Sequence, residues 1–140
     1  MPYDPVLVQP MREELTRIGV EDLTTPEAVD SFLDAGSETR FLVVNSVCGC
    51  AAGGARPAVS IALQNDNTPT RSGTVFAGQD LEAVAKARSA FADIPPSSPC
   101  FALFKDGKVV HFVPRHMIEG RDAQSIAFDL VQAFDAHCKG

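Results

Sequence analysis

The segment "RFLVVNS", from Arg40 to Ser46, is a near-continuous apolar run with two valines, which predicts a strand buried on both faces. Upstream, "DPVLVQPMREELTRIGV" carries Met11, Leu15 and Ile18 at spacings of four and three, a helical stripe. Pro10 fits the first turn of that helix and Gly19 its stop. "TTPEAVDSFLDAG" predicts a second helix, with Thr25 as N-cap, Pro26 at the first position, Glu27 and Asp30 toward the positive end, and Gly36 as stop. "AAGGARPAVSIAL" reads as a helix with a flexible first turn and a kink at Pro57. "SGTVFAG" is a second short strand. "QDLEAVAKARSAFA" predicts a helix starting near Asp80, with Leu81, Val84, Ala85 and Arg88 at helical spacing. "CFALFKDGKVVHFVP" is two strands, and Asp106-Gly107 between apolar runs signals a hairpin. In "DAQSIAFDLVQAFDAHC", Ile126, Leu130, Ala133 and Phe134 form the apolar face of a last helix.

After residue 40 the order is strand, helix, strand, helix, hairpin, helix. One crossover pair plus a hairpin implies a mixed sheet with helices on both faces. The fold class expected is therefore α/β, a thioredoxin-like mixed β-sheet flanked by helices, with an N-terminal helical extension. A length of 140 residues fits one domain, with residues 1–39 as the extension and 40–140 as the core. Such a fold hosts many activities, so function must be argued from the site.

Composition narrows the class. An apolar fraction of 45% with 21% charged residues is that of an ordinary globular chain and argues against disorder. "MPYDPVLVQP" has no basic stretch leading into an apolar one, so no secretory signal is expected. No apolar run reaches the length of a membrane span. The expected location is cytoplasmic, where thiols are kept reduced and a static disulfide framework is disfavoured. The net charge of −6 arises wholly within residues 1–40, and residues 41–140 are balanced. A solvated acidic face follows, and the lack of a basic footprint argues against nucleic acid.

The candidate chemistry lies in "VNSVCGCAAGG", where Cys48 and Cys50 flank Gly49. Across a regular strand, side chains at i and i+2 stand about 6.5–7 Å apart, and in a helix they diverge, so pairing requires a tight turn. Gly49 permits the backbone angles of such a turn. A disulfide there closes a very small ring, which makes it labile. The pair also sits between a strand and a helix, where unpaired N–H groups favour a thiolate. Cys48, the outer of the two, is expected to attack, and Cys50 to resolve. Arg56 is close enough in sequence to add positive charge. Two other readings stay open on these residues alone: a metal clip, and two small buried side chains. Cys100, Cys138, His111, His116 and His137 are scattered singly, which gives a metal few further ligands and predicts no metal site. Pro99 heads the strand of Cys100, where a cis peptide or a plain loop proline both fit. Cys100 reads as a core cysteine beside the site or as a third redox thiol. Cys138 lies near the chain end.

"MPYDP", "PMREELT", "VVNSVCGCAAGGARPA", "PCFALFKDGK" and "RHMIEGRDA" together resemble the bacilliredoxin family, also described as Cys-Gly-Cys disulfide isomerase-like. The resemblance spans nearly the whole chain. It implies a thioredoxin-like fold with extra N-terminal helices, and thiol–disulfide exchange that removes bacillithiol from protein cysteines, with weak disulfide isomerase activity in some members. It implies Cys48 as nucleophile, Cys50 as resolving thiol and Pro99 at the cis-proline position. No cofactor is implied beyond a low-molecular-weight thiol, and the implied partners are thiolated client proteins, with neither nucleic acid nor membrane. The Arg115–Gly120 block also matches, but the sequence gives it no role. Against this oxidoreductase stand two other classes: a thiol-based metal carrier or sensor, and a redox-regulated interaction module without turnover.

Overall fold

The computed structural model describes residues 2–34 and 38–138. Its first helix, α1, spans Pro5–Thr16, and Asp4 caps it by accepting from the Val6 N–H at 2.9 Å. The helix thus starts earlier than the apolar stripe suggests, and Pro10 is interior rather than in the first turn. The carbonyl that Pro10 leaves without a donor belongs to Val6, a residue exposed to water. Gly19, at φ +94°, closes the turn beyond the helix. The second helix, α2, spans Pro26–Leu33 with Thr25 as N-cap, as its sequence predicts. The expected stop at Gly36 lies outside the described residues.

Between them sits β1 (Glu21–Asp22), which no apolar pattern announces. It pairs in parallel with β3 (Arg71–Phe76), and Arg71 Nε donates to Glu21 at 2.8 Å. The buried strand β2 spans Thr39–Asn45, β4 spans Cys100–Lys105 and β5 spans Lys108–Val113. The sheet order is β1-β3-β2-β4-β5. The first three strands are parallel to one another, β4 pairs antiparallel with β2, and β5 pairs antiparallel with β4. The hairpin turns at Asp106 and Gly107, both at positive φ, as a tight primed turn requires. A bulge interrupts the β4–β5 register between Leu103 and Phe104.

Every residue of β2 is buried, because each face of the sheet carries its own apolar layer. Phe41 and Val43 join Phe101 and Leu103 of β4 under α1 and two further helices, α3 (Arg56–Ala62) and α5 (Ala123–His137). Phe41 meets Phe101 at 5.6 Å and Phe134 edge-on at 5.2 Å. Leu42 and Val44 face the other way, toward α2 and α4 (Leu81–Ser89). On α4 the buried positions are Ala83, Val84 and Ala87. Leu81 and Ala85, expected in the stripe, are exposed, so the apolar face is rotated from the expected one. Gly73 of β3 marks a close approach: a Cβ there would stand 2.8 Å from Leu23 and 2.9 Å from Phe32.

The segment after Cys50 answers to Pro57 in an unexpected way. Residues Ala51–Ala55 wind as a π-helix, with the Arg56 N–H bonded to the Ala51 carbonyl five residues back. Pro57 has no N–H to give to Gly53, and the wider turn before it absorbs the misfit that the sequence reading assigned to a kink.

Candidate functional site

The site is built at the end of β2. Asn45, almost fully buried, donates through Nδ2 to the Met11 carbonyl of α1 at 3.2 Å. Its Oδ1 accepts from the Ser46 N–H at 2.8 Å and from Arg56 Nη1 at 3.0 Å. The same Arg56 nitrogen donates to the Ser46 carbonyl at 2.8 Å. Arg56 Nε lies 3.1 Å from Glu14 Oε1, an ion pair without hydrogen-bond geometry. A buried guanidinium therefore ties the last strand residue, the first loop residue and α1 together. Ser46 Oγ in turn accepts from the Cys48 N–H at 3.1 Å. Chemistry thus begins on a loop that three elements hold still.

Cys48 then opens the helix. Its carbonyl accepts from the Ala51 N–H at 2.9 Å and the Ala52 N–H at 3.3 Å. Its sulfur accepts from the Cys50 N–H at 3.4 Å, as the side chain of a capping serine or aspartate would. Arg115 Nη2 approaches the same sulfur at 3.2 Å. Together these hold the Cys48 thiol below the ordinary cysteine range. The thiol of Cys50, donating to the Cys48 sulfur, is the largest cause, followed by the Cys50 N–H. The Arg115 charge and the Ala51 N–H add to them against partial burial. Cys50 is pushed the other way, by burial first and then by the neighbouring Cys48 thiolate. Two cysteines of one turn are thereby given opposite characters.

Arg115 begins the 3₁₀ turn Arg115–Met117 after β5. Its backbone N–H donates to Ser97 Oγ at 3.2 Å and its Nη1 to the Ser98 carbonyl at 3.3 Å. Its Nε donates to Glu119 Oε2 at 3.0 Å. The Ser98–Pro99 peptide is cis. Arg115 thus spans the gap between the Pro99 loop and the Cys48 sulfur.

Of the residues expected here, the structure brings together Cys48, Gly49, Cys50 and, through Arg115, the Pro99 loop. Two expectations change, those for Arg56 and Gly49. Arg56 does not reach either sulfur; it braces the loop from behind, and the cation at the thiolate is Arg115. Gly49 does not adopt a positive φ, and helical winding already includes it. Nothing lies within 4 Å of a Cβ placed on it, so the glycine leaves open space over the pair rather than supplying a special turn. Cys100 is fully buried on the α2 and α4 side of the sheet, paired in register with Val44, and burial pushes its thiol up to about 11. That suits a packing residue rather than a third redox thiol. Cys138 lies near Thr39, at the opposite end of β2, roughly 20 Å along the strand from the site. Among the described residues no group of three or more His, Cys, Asp or Glu side chains gathers in a way that could hold a metal. Among the described residues no helix is long and apolar enough to cross a membrane.

The sequence reading missed Asn45, Ser46, Ser97 and, above all, Arg115. The polar pair Asn45-Ser46 closing an apolar strand was the visible signal for the first two.

The chain is similar to known proteins over nearly its whole length. The disulphide isomerase family matches residues 3–138. A bacilliredoxin of Salinibacter ruber is 59% identical over 99% of this chain and 82% of its own length. A bacilliredoxin of Shouchella clausii is 52% identical over 95% of this chain and 92% of its own. Among solved structures, Fasciola hepatica thioredoxin superposes with a TM-score of 0.59 at 19% identity, over 84% of this chain and 99% of that one, which establishes the thioredoxin fold.

Proposed function

Since the chain belongs to the bacilliredoxin (disulphide isomerase) family and is a thiol–disulfide oxidoreductase, we propose that it reduces mixed disulfides between bacillithiol and protein cysteines. The observation that carries this reading is the setting of Cys48 Sγ, which accepts from the Cys50 N–H at 3.4 Å and from Arg115 Nη2 at 3.2 Å, while burial holds the neighbouring Cys50 thiol above the ordinary cysteine range.

In this reading the Cys48 thiolate attacks the small-thiol sulfur of the mixed disulfide. The bond between client and small thiol breaks, and its electron pair leaves with the client sulfur, which takes up a proton. Client protein departs reduced, and Cys48 carries the small thiol as a disulfide. The anion that had held up the Cys50 proton is then gone, while Arg115 still favours a Cys50 thiolate. Cys50 is thus easier to ionise once the adduct has formed. Its thiolate attacks Cys48 and expels the small thiol, leaving a Cys48–Cys50 disulfide; a second small thiol performs the same release without that disulfide. The only further reagent is a thiol reductant, such as the cytosolic small-thiol pool, and no other cofactor enters. With a protein disulfide as substrate, attack by Cys48 followed by a client cysteine gives isomerisation by the same steps.

The test uses a client carrying bacillithiol on one cysteine. Cys48→Ala is expected to leave the adduct in place. Cys50→Ala is expected to accumulate the Cys48–bacillithiol disulfide, seen as a mass increase on the intact protein. Removal of the adduct at the wild-type rate by Cys48→Ala would overturn the assignment.

A further inference from the structure

The Arg115 guanidinium is placed to meet two anions in succession. In the reduced protein Nη2 stands 3.2 Å from Cys48 Sγ, Nη1 is held by the Ser98 carbonyl at 3.3 Å, and Nε by Glu119 at 3.0 Å. The side chain is 43% exposed, so the outer edge of the fork remains open to solvent where a substrate sulfur arrives. The first chemical step then removes its partner's charge. Once Cys48 is bonded to the small thiol's sulfur, it is a neutral disulfide sulfur, and the electron pair has left with the client. Arg115 keeps its own charge, since a guanidinium does not titrate in this range. It keeps the Glu119 ion pair at Nε, while the anionic acceptor of its Nη2 has just been consumed. The chain as a whole carries −6, so this local positive charge runs against the general field.

We infer that Arg115 is a specificity-determining residue: on adduct formation its Nη2 passes from the Cys48 sulfur to a carboxylate of the small thiol, and the protein thereby prefers acidic small thiols. The inference rests on the de-thiolation reading above. The reach is short. A disulfide bond is about 2.05 Å long, so a carboxylate a few bonds beyond the second sulfur falls within range of Nη2. With Nε held by Glu119 and Nη1 by the Ser98 carbonyl, Nη2 is the nitrogen left to donate a charge-assisted bond to a carboxylate oxygen. Glu119 holds Nε and leaves Nη2 free, and its own negative charge opposes the incoming anion, so it sets how strong the preference becomes.

The experiment uses the full chain and a client with a single cysteine, prepared as three mixed disulfides. The adducts are 3-mercaptopropionate (anionic), 2-mercaptoethanol (neutral) and cysteamine (cationic). Each kcat/KM is normalised to the rate of reduction by dithiothreitol alone, which removes intrinsic differences among the disulfides. The wild type is expected to favour the anionic adduct over the neutral one by about threefold to tenfold, as for a half-exposed charge-assisted pair. Arg115→Gln is expected to slow all three, through the less stabilised thiolate, and to bring the anionic-to-neutral ratio close to one. Glu119→Gln, a change at an exposed carboxylate, is expected to widen the ratio. A wild-type ratio near one, or an unchanged ratio in Arg115→Gln, overturns the inference while the exchange activity stands. Failure of the wild type to reduce any of the three adducts overturns the de-thiolation reading and this inference with it.

Discussion

The reactivity of Cys48 is set by donors within one turn and by one side chain from a distant loop. Its exchange rate follows the thiolate fraction, so the pH profile reports those donors directly. Rates of iodoacetamide alkylation at Cys48 are expected to rise with pH and level off below the ordinary cysteine midpoint of about 8.5. The sign follows from the lowered pKa: the thiolate persists to lower pH than in a free cysteine. In Arg115→Gln the midpoint is expected to move upward, and in Cys50→Ala, which removes the largest cause, upward again. Gly49 gives a second residue-scale test. With open space around its Cβ position and helical winding already begun, Gly49→Ala is expected to fold normally and to gain up to about 1 kcal/mol from the better helix former. A loss of more than that in urea denaturation would mean that the turn does require glycine. The sequence suggested the turn role because side chains at i and i+2 diverge in a helix and stand apart in a strand. The helix start places Cys50 N–H on Cys48 without them.

At the scale of elements, the site depends on how three pieces of chain end. β2 ends in Asn45-Ser46, the helix begins at the cysteines, and the β4–β5 hairpin brings Pro99 and Arg115 to the same place. This last juxtaposition was readable. Counting outward from Asp106-Gly107, the hairpin register sets residues 114–115 opposite the Pro99 region, and Phe101 indeed pairs with Val113. The reading stopped short because the Arg115 block was treated as a matching string rather than as the far end of a hairpin. Arg56 was harder to place. Its sequence distance from Cys48 is small, but the π-turn rotates it behind the loop, and no local pattern announces a π-turn. Its role is testable: Arg56→Met keeps the volume and removes the hydrogen bonds to Asn45 and Ser46. A cost of about 1–3 kcal/mol is expected, along with slower exchange at a Cys48 whose loop is no longer braced. Unchanged kcat/KM at a temperature where the variant remains folded would deny the bracing role.

For the whole molecule, the two apolar layers explain why the fold was legible. The continuous run of β2 required cover on both faces, and the helical stripes supplied it. β1 was not legible, since two acidic residues carry no strand pattern; they are held by Gly73–Thr74 and Arg71 of β3 and by Arg12 of α1, whose Nη1 donates to Asp22 at 3.1 Å. The outer end of the α5 layer adds a pH dependence. Among the described residues His111 of β5 has a buried Nε2 without a hydrogen-bond partner, and burial is the main cause of a pKa below the ordinary histidine value. The nearby Asp129 works against that shift and His137 with it. A histidine kept neutral in the fold binds fewer protons than in the unfolded chain. Its destabilising effect is therefore absent above the unfolded pKa of about 6.5 and grows as pH falls below it. His111→Gln is expected to flatten this part of the stability curve between pH 7 and 5, measured by urea denaturation. An identical slope in both proteins would remove His111 from the account.

The two outer strands, described above only as the ends of the sheet, also bear on how copies of this chain treat one another. An open strand edge is a template for another chain, and proteins blunt it by shortness, charge, bulges and proline. Here one edge is the two-residue β1, carrying Glu21 and Asp22 with Arg71 alongside. The other is β5, which begins at Lys108, is thrown out of register by the bulge and is followed by Pro114. Neither edge offers a long, flat, uncharged row of free amides and carbonyls. The sheet is thereby protected from strand-to-strand aggregation at both borders, while its thiolate end stays open.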